Sequence, residues 1–94
     1  MKYFALLYDV VDNFAERRMP FREPHLKLVI EAHERGDIVM AGALGEPPEQ
    51  AMIIFRVADA GIVEAFAKAD PYVNNGIATK WQVKPWNVVI GGAN

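Results

Sequence analysis

Cysteine and serine are both missing from this chain of 94 residues. Without cysteine there is no disulfide framework to brace a small domain and no thiolate nucleophile. Without serine there is no serine nucleophile of the hydrolase kind. An excess of basic charge is also missing. Ten Lys and Arg stand against 12 Asp and Glu, a formal net charge of -2, with the signs interspersed. No basic stripe is available to neutralise phosphates, so nucleic acid is not an expected partner. No apolar run approaches the roughly 20 residues of a membrane-spanning helix, so no membrane partner is expected. Histidine occurs twice, at His25 and His33, more than two helical turns apart and with no cysteine nearby. That spacing supports neither a zinc nor an iron site, and no metal or cofactor is expected. No glycine motif of the phosphate-cradling kind is present.

What is abundant is apolar surface. Hydrophobic residues make up 52% of the chain. A chain this short buries a limited share of its surface by itself. Burying part of the apolar content between subunits reconciles the two, which predicts an oligomer. The opening Met1-Lys2-Tyr3-Phe4-Ala5-Leu6-Leu7-Tyr8 lacks the small-residue cleavage pattern of a signal peptide and reads as a strand. The expectation is a cytoplasmic protein with one domain over residues 1–94.

Residues 2–8 form the first expected strand. Residues 9–20 suit a loop or a frayed helix start ending at Pro20. The clearest helix runs over 24–35, with Pro24 in its first turn and Gly36 as C-cap. At about 100° per residue, His25, Val29, His33, Leu26 and Ile30 fall on one arc, and Lys27, Glu31 and Glu34 on another. His25 would sit on the shoulder of the apolar arc. Residues 37–44 and 51–57 read as strands joined by a polar turn, hence an antiparallel hairpin. Asp59 caps a second helix over 60–69. The stretch 79–90 is strand-like, with Pro85 marking a bend or an edge. The order β-α-β-β-α-β is the ferredoxin-like arrangement of the α+β class, an antiparallel sheet with two helices on one face.

Two residues stand in distinctive frames: His25 in Arg22-Glu23-Pro24-His25-Leu26, and Asp70 in Ala69-Asp70-Pro71-Tyr72-Val73. Brought together, they would make a carboxylate-oriented imidazole, a common acid/base device. In a first helical turn, the positive end of the dipole disfavours imidazolium and keeps His25 a proton acceptor. The plain structural reading is a surface histidine. For Asp70 it is an N-cap with Pro71 at the first helical position, followed by a short turn closed by Gly76. That cap would leave one carboxylate oxygen for His25. Arg22, three residues before His25, either holds an anionic substrate group or is a solvated surface arginine. Tyr8 and Tyr72 either line a pocket or pack. Gly42 either makes room for a ligand or serves sheet twist. His33 reads as packed or partly exposed at the helix end rather than catalytic.

Together, Arg22-x-x-His25-Leu26, Ala41-Gly42, Asp70-Pro71-Tyr72 with Gly76, and Val83-Lys84-Pro85-Trp86 resemble the YCII-related (YciI-like) family of the dimeric α+β barrel superfamily. The resemblance covers nearly the whole chain. It implies a homodimer whose sheets pack face to face, a pocket beside the first helix, and His25 with Asp70 as the active pair. One described member eliminates chloride from a chlorinated hydroxyhydroquinone. The superfamily hosts several chemistries, so fold alone selects none. The chain departs from the pattern at Ala43, where many relatives carry proline, which puts the pocket's side wall in question. The resulting expectation is a small cofactor-independent enzyme. It would use His25 and Asp70 for elimination, isomerisation or lactone chemistry on a small cyclic or aromatic substrate. Arg22, Tyr8, Gly42 and Tyr72 would line the site. The alternative is a non-catalytic module that binds a small molecule or assists other enzymes.

Overall fold

A computed structural model describes residues 1–92. Four strands form one antiparallel sheet: β1 (Lys2–Val10), β2 (Ile38–Leu44), β3 (Gln50–Val57) and β4 (Ala78–Trp86), in the order β2-β3-β1-β4. Two main helices, α2 (Met19–Glu34) and α3 (Ala60–Ala69), cover one face. The short helices α1 (Phe14–Arg17) and α4 (Pro71–Asn74) precede α2 and follow α3. This is the ferredoxin-like α+β arrangement. No helix among the described residues is long and apolar enough to cross a membrane.

Alternation along the central strands builds the core. Phe4, Leu6 and Tyr8 of β1 and Ile53, Phe55 and Val57 of β3 point to the helix-covered face and are buried. The registers Phe4 to Phe55 and Leu6 to Ile53 set these side chains opposite one another. Val63, Phe66 and Ala67 of α3 close over them, with Phe66 edge-on to Phe55 at 5.2 Å between centroids. Asp59 caps α3 by accepting from the Gly61 N–H. β4 lies at a sheet edge, where Pro85 can forgo a ladder donor on its open side.

Both glycine stops are Schellman turns. Gly36 takes φ 88° and donates to His33 O, while the Asp37 N–H reaches back to Ala32 O. Gly76 takes φ 71° and donates to Val73 O, while the Ile77 N–H reaches Tyr72 O. The positive φ favours glycine at each.

The first helix departs from the sequence expectation in two ways. It starts at Met19, not at residue 24, and Pro24 lies inside it. Pro20 occupies the first turn instead, and the missing Pro24 N–H forfeits one bond at a solvent-exposed stretch. The face is also rotated. Leu26 and Ile30 of the expected buried arc are 37% and 52% exposed, whereas Phe21, Leu28, Val29 and Ala32 pack inward around His25. Apolar residues occur around much of this helix, so periodicity alone does not select its buried side. Residues 9–20 hold the end of β1 and all of α1, whose Phe14 is a core residue. β4 ends at Trp86, short of the expected 90.

Candidate functional site

Asp70 carries the only charged side chain among the buried residues described, with no solvent exposure at all. Burying a carboxylate is costly unless donors surround it, and three do. As the α4 N-cap, Oδ1 accepts the Tyr72 N–H at 3.0 Å. Pro71 at the first helical position preorganises that turn. Oδ2 accepts the Tyr8 hydroxyl at 2.7 Å from the centre of the sheet. Oδ1 also meets His25 Nδ1 at 2.8 Å from α2. Three separate elements thus converge on one carboxylate.

The contact fixes which ring nitrogen faces Asp70. An ionised carboxylate only accepts, so Nδ1 carries the proton and donates. The other ring nitrogen, Nε2, has no hydrogen-bond partner among the described residues; in the neutral imidazole it carries the lone pair. His25 is 12% exposed at the side chain. Its ring lies flat on Tyr72, with centroids 3.7 Å apart and planes 7° from parallel. Tyr72 in turn meets Phe14 edge-on at 5.7 Å. The imidazole is therefore held in position by a hydrogen bond and in plane by a stack.

Burial pushes the Tyr8 phenol far up, with the Asp70 charge and the hydrogen bond to it adding to the shift. Tyr8 remains a neutral donor. Burial also raises Tyr72, while the positive charges of Arg18 and Arg22 pull it partly back and Asp70 adds to the rise.

Beside His25 lies a cavity of about 250 Å³ between α2 and β2–β3. Tyr8, Arg22, His25, Gly42 and Tyr72 all border it. Arg22 and His25 share one continuous helix, three residues apart, and reach the same space. Gly42 pairs with Met52, and its neighbours Ala41 and Ala43 pair with Ile53 and Ala51 on the helix-covered side. A Cβ at Gly42 would therefore point to the other side of the sheet, where nothing lies within 4 Å. Its lack of a side chain does not make the room; Ala41, Ala43 and Ala51 do, by being small.

The dipole argument for a neutral His25 does not hold. His25 lies almost two turns inside α2, and the dipole effect fades within the first turn. Its tautomer is set by Asp70 instead. His33 lies outside the cavity: its Nδ1 donates to Ile38 O at 2.8 Å and ties the end of α2 to β2. Phe14 and Arg18 line the cavity and escape the sequence reading, because the segment that holds them has weak periodicity. Arg18 stacks over the Phe14 ring at 4.9 Å. Among the described residues no three His, Cys, Asp or Glu side chains group to hold a metal.

Fold and cavity together define a small ferredoxin-like α+β protein with a solvent-accessible site between its first main helix and its sheet. The YCII-related domain matches residues 1–87, and the chain belongs to that family. Among solved structures, it is similar to 5-chloro-2-hydroxyhydroquinone dehydrochlorinase from Burkholderia phenoliruptrix in complex with 2,5-dihydroxybenzoquinone. The TM-score is 0.73 at 15% identity, over 90% of this chain and 93% of that one. At that identity the likeness establishes the fold. No curated protein matches the chain by sequence.

Proposed function

We propose that this protein is a cofactor-independent acid/base enzyme acting on a small cyclic or aromatic substrate, with His25 as the proton-transfer group and Asp70 as its orienting partner. The observation that carries the reading is the 2.8 Å contact between His25 Nδ1 and the fully buried Asp70 carboxylate at the wall of a cavity. Such a pair aims a free Nε2 at whatever occupies the cavity. When Nε2 accepts a proton, the imidazolium forms next to a carboxylate that stabilises it. Tyr8 and the Tyr72 N–H keep that carboxylate in place as the charge changes.

In an elimination, Nε2 takes the proton from carbon, the C–H pair becomes the new double bond, and the leaving group departs with its own electron pair. In an isomerisation, the imidazolium returns the same proton to a different carbon. Val29, Ile53 and the three alanines give either step an apolar surround on those walls. The structural neighbour's ligand, a small hydroxylated ring, agrees with the class of substrate proposed.

We also propose that the chain is a single-domain homodimer, its sheets facing each other. The helices cover one face of the sheet, and the other carries Leu7, Met40 and Met52, with Met40 64% exposed. A second copy would cover that apolar patch.

The test is a screen of hydroxylated aromatics and lactones read by mass spectrometry, repeated with His25→Ala and Asp70→Asn. Turnover by the unaltered protein that both variants lose supports the reading. Full turnover in both variants on a verified substrate overturns it. A ligand that binds through His25 and is never converted favours the non-catalytic alternative.

A further inference from the structure

The cavity has an unbalanced charge. Arg18 and Arg22 both border it, and no Asp or Glu does. The acidic side chain nearest in role, Asp70, is fully buried and already shared among His25, Tyr8 and the Tyr72 N–H. Neither arginine has a carboxylate partner or a side-chain hydrogen bond among the described residues. The Arg18 Nε–H is shielded from solvent and has no acceptor among the described residues; Arg56 Nε shares that condition but lies away from the cavity. A shielded, unpaired donor on a charged group is costly. The Arg18 guanidinium is nevertheless held, lying 4.9 Å over the Phe14 ring. Arg22 also borders the open groove along the outer side of α2, which sets it at the cavity's rim.

Two like charges at one cavity repel, and an oxyanion between them relieves both the repulsion and the missing acceptor. The chain as a whole is slightly acidic, so this local excess of positive charge runs against its composition. The volume bounds the rest. A cavity of about 150 Å³ accommodates benzene, so about 250 Å³ accommodates a single ring with one or two substituents.

We propose that the substrate is a single-ring oxyanion, a carboxylate or a phenolate, whose charged oxygen is taken by Arg18 and Arg22 while its reacting atom faces His25. This rests on the reading of the cavity as an acid/base site and adds the substrate's charge to it. Arg18 and Arg22 then select for charge, and His25 does the proton transfer.

Calorimetric titration of the full chain with benzoate, 4-nitrophenolate and neutral benzamide tests it. At least one of the two anions should bind at millimolar concentration or below, and which one binds better separates carboxylate from phenolate. Benzamide should bind at least about tenfold more weakly. Arg18→Gln should weaken the anion by about ten- to a hundredfold and leave benzamide unchanged. Arg18→Lys should recover part of the loss, since it keeps the charge without the fork. If Arg18→Gln melts early, Arg22→Gln at the rim supplies the same comparison. Equal affinity for benzoate and benzamide, no binding of either anion, or anion affinity that survives both arginine substitutions overturns the proposal. His25→Ala separates the two readings. Anion preference kept in that variant with turnover lost supports both. Turnover lost with no anion preference in any variant removes the anion proposal alone, and anion preference with turnover retained removes the acid/base reading alone.

Discussion

Tyr72 secures His25 twice. Its ring lies 3.7 Å from the imidazole and nearly parallel to it, and its backbone N–H holds the Asp70 oxygen to which His25 Nδ1 is bonded. Tyr72 therefore sets the ring plane directly and, by holding the Asp70 oxygen, supports the bond that orients Nδ1. A histidine so constrained presents Nε2 in one direction, which is what positioned proton transfer requires.

Asp70→Asn keeps an oxygen for the α4 cap and nearly the same volume. It removes the charge that favours imidazolium and lets the imidazole adopt the other tautomer. The expected loss is about 10²- to 10⁴-fold in kcat, with circular dichroism unchanged. His25→Ala should lose a similar amount, and the double variant no more than the worse single one, because the two act as a unit. Steady-state kinetics on all three checks this.

Tyr8→Phe deletes the hydroxyl that donates to Asp70 Oδ2 and leaves that buried oxygen short of a donor. A hydrogen bond to a charged group is worth about 1.5–3 kcal/mol, and urea denaturation should report a loss of that size.

Alkaline pH should destabilise the fold through the same tyrosines. Burial raises the Tyr8 and Tyr72 phenols above their ordinary value of 10.0. In the unfolded chain they ionise near that value, so the folded state binds these protons more tightly. The contribution is fully present below about pH 10 and is lost as pH rises beyond it. Denaturation midpoints measured from neutral to alkaline pH should fall above that point, and less steeply for Tyr8→Phe.

His33→Ala removes the bond from α2 to the Ile38 carbonyl. It should cost about 0.5–1.5 kcal/mol and leave turnover and ligand affinity unchanged. A loss of activity out of proportion to stability would assign His33 a role that its position outside the cavity does not support.

Met40→Glu places a charge on the uncovered side of the sheet at an exposed position. If that face joins two copies, light scattering should find the unaltered chain dimeric and the variant shifted toward monomer, with the same circular dichroism. A variant as dimeric as the parent would locate the interface elsewhere.

The order of strands and helices was legible in the sequence because each signal is local. Alternation in Phe4, Leu6 and Tyr8, the Asp59 cap, and the glycine stops at 36 and 76 all act within a few residues. The Asp70–Pro71 helix start was legible for the same reason. The start of α2 was not, because two prolines four residues apart each suit a first turn. Its buried face was not legible either, and Leu26 and Ile30 stay exposed while His25 turns inward. Phe14 and Arg18 were missed because a four-residue helix and the junction after it show no period.

By itself, then, the sequence determined the α+β order, the family and the two residues worth watching. Tertiary structure decided what those residues can do. The Asp70 carboxylate is buried by contacts from chain positions 8, 25 and 72, and a buried charge must collect its donors from whichever elements the fold brings near. That need is met by His25 facing inward and by Tyr8 remaining a neutral donor. Neither of these is a property of local spacing, because each depends on residues distant in sequence meeting around one carboxylate and one cavity.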